Sequence, residues 1–150
     1  MKFSELLDKH MKDDDVIDVL ESYDISVIYD FDRTHEGMDD VYWAASTDAG
    51  FQFRFDKNQM LDTIFLYMVA REGFTPISRN NIDVPVFDTF DDAERECRSK
   101  GIPFKQSQGT PGSDMYKWWI KLDYGTHTAH YQFKEGTLRM VTLGARTSSQ

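Results

Sequence analysis

The strongest pattern of hydrophobic and polar positions lies in residues 50–70. Phe51, Phe53 and Phe55 alternate with polar residues, and this period of two is typical of a strand with one buried and one solvated face. Four turn-like residues follow, and residues 60–70 then form a nearly continuous apolar run, as in a strand covered on both faces. Helical spacing also fits this run, but its β-branched and aromatic residues favour a strand. The segment is therefore predicted to be a β-hairpin.

Further predicted elements flank this hairpin on both sides. Apolar residues at helical spacing predict a short helix over 3–11, with Ser4 as N-cap, and a second helix over 14–22 that follows a run of carboxylates. A third helix is predicted to begin near residue 88 and to end at Gly101. Alternation predicts strands over 25–31, 41–45, 116–122, 126–134 and 137–143, with Glu135-Gly136 as a tight turn.

These elements occur twice in the same order, which indicates an internal repeat. The sequence of residues 53–58 corresponds to that of residues 131–136, with a turn one residue longer in the first copy. One helix with three strands cannot cover its apolar face alone, whereas two such units can share a sheet and a core. We therefore predict a single α+β domain over residues 1–150, with pseudo-repeats at about 13–70 and 88–144. Its antiparallel sheet would have about six strands from two tandem α-β-β-β units, with the helices packed on one face.

Several stretches of residues 38–143 resemble small bacterial immunity proteins. These stretches are GFQFRFDKNQMLDTIFLY, Gly101-Ile102-Pro103, Lys117-Trp118-Trp119 and HYQFKEGTLRMVTL. Such proteins are cytoplasmic antidotes to the polymorphic toxins of contact-dependent inhibition or of type VI secretion and Rhs systems. The tandem helix-plus-strands pattern also resembles the β-lactamase-inhibitor-protein fold. The first copy departs from the family pattern, because no Gly-x-Pro follows its helix. The resemblance implies a binding protein that inhibits a toxin without catalysing a reaction.

The charge of the chain is unevenly distributed. The net charge is −9, and residues 1–62 hold 16 acidic and 6 basic residues, whereas residues 63–150 hold 10 and 11. Phosphate would be repelled by an acidic surface, which argues against nucleic acid as a ligand, while a basic protein would be attracted. The alternative interpretation is that the acidity only keeps the protein soluble.

The predicted partner-binding surface combines the acidic helix and the first long loop. A nuclease toxin has a basic groove for phosphates, and an acidic surface would complement this groove and speed association. The predicted partner-binding residues are Asp14, Asp18 and Glu21 on the helix, with Asp30, Asp32, Glu36, Asp39 and Asp40 in the loop.

Other features of the chain indicate a cytoplasmic protein. Cys97 is the only cysteine, so no internal disulfide can form. The N-terminal segment is charged and lacks the apolar core of a signal peptide. The longest apolar run is far shorter than the roughly 20 residues of a membrane span. We therefore expect no contact with a membrane.

The sequence contains two incomplete metal-binding patterns. His127 and His130 lie three apart on a predicted strand, so they point to opposite faces and cannot easily share an ion. Asp30, Asp32 and Glu36 resemble part of a calcium loop, but the turn glycine and the terminal glutamate are out of place. We predict no metal, cofactor or catalytic residues.

Three further side chains have a structural interpretation. Cys97 has acidic neighbours, which raise the pKa of a thiol and oppose a nucleophilic role, so it is predicted to be buried. Trp118 and Trp119 should point to opposite faces of one strand, which predicts that one is in the core. The other is either an exposed interface anchor or covered by a helix.

These patterns favour a cytoplasmic immunity protein that occludes the active site of a cognate, basic toxin domain, most plausibly a nuclease. Two alternatives stay open. The first is a chaperone or adaptor for a secreted effector, which would share the acidity. The second is a small hydrolase that uses carboxylates with His127 or His130, for which a pocket with a strongly perturbed titratable group would be the sign.

Overall fold

The chain folds into one eight-stranded antiparallel sheet with helices on one face, in a computed structural model that describes residues 2–30 and 40–146. The helices are α1 (Phe3–Leu6), α2 (Asp14–Ser22) and α3 (Phe90–Lys100), with a short 3₁₀ helix at Arg79–Asn81. The strands are β1 (Val27–Asp30), β2 (Val41–Ser46), β3 (Phe51–Phe55), β4 (Leu61–Tyr67), β5 (Phe104–Gln106), β6 (Trp119–Asp123), β7 (His127–Lys134) and β8 (Thr137–Ala145). No helix of the described residues is long and apolar enough to cross a membrane.

The sheet is formed from two meanders that meet in its middle. Its strand order is β1-β2-β3-β4-β8-β7-β6-β5, and every neighbouring pair is antiparallel. The predicted α+β class, with an antiparallel sheet and helices on one face, is confirmed. The predicted count of about six strands is too low, because each long helix is followed by four strands rather than three.

The two strands that raise the count lie at the edges of the sheet. β1 confirms the strand predicted over 25–31, which the count of about six strands left out, whereas β5 has only three residues, too few to show an alternation of hydrophobic and polar positions. β5 begins directly after Pro103, and β1 ends where the acidic first long loop begins in the sequence. Edge strands gain much of their order from the neighbouring strand, here β6 and β2, which is tertiary information that a local pattern lacks.

The hairpin of β3 and β4 follows the predicted pattern. Phe51, Phe53 and Phe55 are buried on one face. The helical alternative for residues 60–70 is wrong, because Leu61–Tyr67 is a strand paired on both sides, with β3 and with β8. This central position explains the apolar run. On one face β4 places side chains in the core, and on the other face its Phe65 lies near Trp43.

The two long helices begin and end at the residue types expected. The side chain of Asp13 caps α2 by accepting from the backbone N–H of Asp15, and Thr89 caps α3 in the same way for Asp92. Gly101 ends α3 in the left-handed region, at φ 67°. The predicted boundaries of α2 agree with the structure.

The first helix is shorter than predicted. It ends at Leu6, because Leu7 is extended and Asp8 has a φ of 67°. The chain then runs beside the end of the hairpin, where His10 forms a bridge with Met60. Ser4 is not the N-cap; its hydroxyl donates to Asp83 at 2.5 Å instead. A long-range contact thus replaces the local cap that the sequence indicated.

All three α-helices pack on the same face of the sheet. The ring of Phe3 lies 5.2 Å from that of Phe51, and Tyr23 approaches the same ring at 5.1 Å from the end of α2. At the other half, Phe90 of α3 lies 6.1 Å from Phe133. Residues of both halves belong to one hydrophobic core cluster. The opposite face of the sheet is without a helix among the described residues.

Candidate functional site

The helix-free face of the sheet consists of three rows of side chains that cross the strands. Directly paired residues of neighbouring strands point to the same face, so the strand register identifies each row. The first row is Ile28, Trp43, Arg54, Thr63, Gly144, Thr128 and Asp123. The central row is Ala45, Gln52, Phe65, Thr142, His130, Lys121 and Lys105. The third row is Tyr67, Met140, Gln132 and Trp119.

Aromatic side chains lie on both sides of the centre of this face. The rings of Trp43 and Phe65 are 6.1 Å apart, and the ring of Trp119 stacks on His130 at 5.2 Å. All four residues are partly exposed. A face that only met water would carry polar side chains at these positions. The helix-free face therefore has the composition of a contact surface rather than that of a solvated sheet face.

The two tryptophans occupy corresponding places in the two meanders. Trp43 pairs with Arg54 of β3, and Trp119 pairs with Gln132 of β7. Arg54 and Gln132 are themselves the corresponding residues of the two similar sequence stretches. The pair Phe65 and Thr142 lies at the centre, where β4 meets β8. The two tryptophans therefore flank the centre of the face from opposite sides.

The charges on this face are separated along the sheet. Near β3, Arg54 donates to Asp62 at 2.8 Å; burial nevertheless raises the pKa of Asp62, because it outweighs the hydrogen bond from Thr63 and the charge of Arg54. Towards the β5 edge, Lys105 lies directly opposite Lys121, and neither makes an ion pair with a described residue. This end of the face is basic.

His130 lies between the lysines and the aromatic centre. It pairs with Lys121 on one side and with Thr142 on the other. Burial lowers the pKa of His130, and the positive charge of Lys121 acts in the same direction. The neutral imidazole stacked on Trp119 therefore extends the aromatic surface.

Three of the predicted partner-binding residues lie on one stripe of α2. Asp14, Asp18 and Glu21 are exposed at spacings of four and three residues, and none forms an ion pair with a described residue. In α3, by contrast, Arg95, Arg98 and Lys100 pair with carboxylates one turn away. The two helices thus share an architecture but not a charge pattern. The α2 stripe lies on the helix side of the sheet, away from the helix-free face.

The predicted loop residues are only partly within the described chain. Asp30 is the last residue of β1 and pairs with Val41. Asp40 is partly exposed and accepts a hydrogen bond from the hydroxyl of Tyr29 at 2.5 Å. Asp32, Glu36 and Asp39 lie outside the described residues, and so does most of the calcium-like segment. The structure therefore brings together Asp14, Asp18 and Glu21 on α2 but does not test the rest of the predicted surface.

The two histidines lie on opposite faces, as the strand period predicted. His127 pairs with Ala145 and stacks against Tyr124 at 5.2 Å, while His130 belongs to the helix-free face. Burial lowers the pKa of His127. Within the described ranges, no three His, Cys, Asp or Glu side chains come together in a way that could hold a metal ion.

Cys97 is buried in α3, which confirms the sequence prediction. Burial raises the pKa of its thiol, and the charges of Glu96 and Glu94 act in the same direction. The expectation that either Trp118 or Trp119 is a core residue is wrong, because both are partly exposed. The strand begins only at Trp119, so Trp118 precedes it. The backbone N–H groups of both tryptophans donate to the hydroxyl of Ser107.

Trp43, Phe65, His130 and Met140 were not singled out from the sequence as parts of a surface. A signal was present, because each strand alternates and these residues occupy the positions opposite the core. In β2, for instance, buried Ala44 follows Trp43.

No protein-family model, curated protein sequence or solved structure matches this chain.

Proposed function

We propose that this protein binds another protein through the helix-free face and acts as an inhibitor of the immunity type. The observation that carries the proposal is the set of partly exposed aromatic side chains, Trp43, Phe65 and Trp119, on a sheet face that no described helix covers. Trp and Tyr are the residues that most often contribute binding free energy in protein interfaces, and contiguous exposed apolar patches mark such interfaces.

The dimensions of the face suit a protein partner. Neighbouring strands are about 4.8 Å apart, so the five spacings from β2 to β6 separate Trp43 and Trp119 by roughly 24 Å in the direction across the strands. A standard interface buries about 800 Å² on each partner, which is a patch of similar width. The two tryptophans can therefore act as anchors on either side of one contact area.

The inhibitor class rests on the sequence resemblance of several stretches within residues 38–143 to small immunity proteins. Inhibition of this kind requires only that a toxin's active site be covered, so binding is sufficient. The unpaired carboxylates Asp14, Asp18 and Glu21 offer a second contact region for a basic partner such as a nuclease domain. The partner in this proposal is a cognate toxin domain in the same cytoplasm.

The test is co-purification of the protein with the C-terminal domain of the product of the neighbouring reading frame, followed by a growth-rescue assay. Trp43→Ala and Trp119→Ala should each weaken binding by about 30-fold or more, which corresponds to roughly 2 kcal/mol for an anchor residue. Arg95→Ala is the control, because Arg95 is a large, exposed side chain on α3, on the helix side of the sheet.

Charge reversal separates the two surfaces. Asp14→Lys combined with Asp18→Lys should weaken binding if the α2 stripe also contacts the partner. Unchanged affinity in both tryptophan variants, with native circular dichroism, would exclude the helix-free face as the interface. Binding without growth rescue would contradict the inhibitor role and favour an adaptor for a secreted effector.

A further inference from the structure

A groove of about 1040 Å³ lies at one end of the sheet, beside the β7–β8 turn. Its walls come from residues 69–71, 89–91, 113–118 and 132–136, together with Arg139. It meets the helix-free face only around Gln132. Nothing in the proposed inhibitor function uses this groove.

The groove combines an apolar wall with exposed apolar side chains. Met115 and Tyr116 are 42% and 40% exposed, although both are large and apolar, and Trp118 beside them is partly exposed. On the other side, Phe90 and Phe133 form an edge-to-face pair at 6.1 Å. A small inorganic anion would leave this apolar surface exposed, whereas a peptide segment could cover it.

The side chain of Arg139 makes no hydrogen bond or ion pair with any described residue. Its Nε atom is buried and unpartnered, although the residue lines the groove. A buried donor without a partner destabilises a protein by about 1–3 kcal/mol. A carboxylate supplied from outside would satisfy the guanidinium, because two parallel charge-assisted hydrogen bonds match its planar shape.

In the other half of the molecule, the side chain at the corresponding bulge has an ion-pair partner. The sheet has a bulge in each half, next to Arg54 and next to Gln132. In the first half the bulge residue of β4 is Asp62, which pairs with Arg54 at 2.8 Å. In the second half the bulge residue of β8 is Arg139, and the residue that corresponds to Arg54 is the uncharged Gln132. The internal ion pair of one half is therefore replaced by an unpaired cation in the other.

The groove is much less acidic than the protein as a whole. Four basic and three acidic side chains line it, whereas the whole protein has a net charge of −9. Lys117 is occupied by Asp91 at 2.6 Å, and Arg71 approaches Glu72 at 3.9 Å. Lys134, Asp114 and Glu135 also line the groove without an ion pair to a described residue, so Arg139 is distinguished by its buried Nε atom.

We propose that this groove binds an acidic peptide segment of a partner protein, with a Glu or Asp side chain on Arg139 and a neighbouring aromatic residue against Tyr116 and Trp118. The recognised chemistry is a carboxylate next to an apolar group. The groove meets the helix-free face at Gln132, beside Trp119, but is distant from Trp43. Trp43→Ala therefore tests the interface alone, and either proposal can fail without the other.

The probe is the capped peptide acetyl-Phe-Glu-Phe-amide, titrated into the full chain and followed by tryptophan fluorescence and by NMR chemical shifts. We expect saturable binding that weakens by at least about tenfold when the peptide carries Gln instead of Glu, since a hydrogen bond to a charged group contributes roughly 1.5–3 kcal/mol. Arg139→Gln should weaken binding of the Glu peptide by a similar factor. Arg146→Gln is the matched control, because Arg146 pairs with Asp123 at 3.0 Å and lies outside the groove.

A stability measurement distinguishes a binding role from a structural one. Because the Arg139 side chain has no partner in the described chain, Arg139→Met should leave the urea midpoint unchanged or raise it, whereas a structural arginine would lower it. Equal affinity for the Glu and Gln peptides would overturn the proposal. Absence of saturable binding at about 10 mM peptide would also overturn it, because this concentration is far above a dissociation constant of roughly 1 mM, the value for a weak complex. Tighter binding of acetyl-Phe-Gln-Phe with a free C-terminus would also overturn it, in favour of recognition of a chain end.

Discussion

At the scale of single residues, the two histidines of β7 show how much a strand period reveals. Their separation of three residues predicted opposite faces, and the structure confirms it: His127 lies beside Tyr124, and His130 lies beside Trp119. The period does not reveal their surroundings. The stacking partners come from β6 and from the turn that follows it, so they depend on the register of β6 with β7.

His130 should make the stability of the protein depend on pH. Burial lowers its pKa in the folded state, so the unfolded chain takes up the proton first as the pH falls. Its contribution is present above the unfolded pKa of about 6.5 and is lost as the pH falls towards the folded pKa. The urea midpoint of the wild-type protein should therefore fall more steeply between pH 7.5 and 5.5 than that of His130→Gln.

Lys121 offers a control for this pH dependence. Its charge lowers the pKa of His130, so Lys121→Gln should raise this pKa in an NMR titration of the imidazole. His127 keeps a lowered pKa in every variant, so some acid sensitivity should persist in His130→Gln. Equal slopes of stability against pH for the wild type and His130→Gln would contradict the assignment.

At the scale of elements, the long helices, the central strands and the edge strand β1 followed from local patterns, whereas the edge strand β5 did not. α2 and α3 carry caps and an apolar stripe within their own sequence. β5 is short and gains its order from pairing with β6. Where an element depends on a neighbour for its hydrogen bonds, its own sequence contains too little information to define it.

Gly50, in the turn between β2 and β3, shows an element constrained by a distant segment. It has a φ of 82°, and a Cβ atom there would lie 2.6 Å from the Ile77 nitrogen and closer still to the Thr75 oxygen. Gly50→Ala should therefore lower the free energy of unfolding by about 3 kcal/mol or more, from left-handed strain plus the clash.

A second glycine separates the two contributions. Gly125 has a φ of 91°, but a Cβ atom there would meet nothing within 4 Å. Gly125→Ala should therefore show only the left-handed strain, about 1 kcal/mol. Urea denaturation of both variants measures the difference. Similar losses at the two positions would show that residues 75–77 move away easily and do not constrain the hairpin.

At the scale of the whole molecule, the pairing of β4 with β8 joins the two meanders into one sheet. Leu66 and Val141 pair across this junction and are fully buried, and the core cluster contains residues from both halves. The halves should therefore unfold together, as expected for a domain of this size with a continuous core.

Tryptophan fluorescence can test this coupling. Trp43 reports on the first meander, and Trp119 reports on the second. Single-tryptophan variants that retain one or the other should show coincident urea transitions, which also coincide with circular dichroism. Leu66→Ala should shift both transitions equally, with a loss of about 3 kcal/mol from the cavity it leaves. Two separated transitions would show that the meanders are independent units.

The sequence by itself determined the helices, the core strands, the face that each strand buries and the α+β class, because these follow from apolar residues at periods of two and of about 3.6. It also indicated that the first part of the chain is acidic and that α2 carries Asp14, Asp18 and Glu21. The β4–β8 junction, the edge strand β5 and the choice of which aromatic side chains stay uncovered were decided only by the tertiary structure. Phe65 and Ile64 look alike in an apolar run, and only the packing of the helices on one face leaves Phe65 partly exposed and buries Ile64.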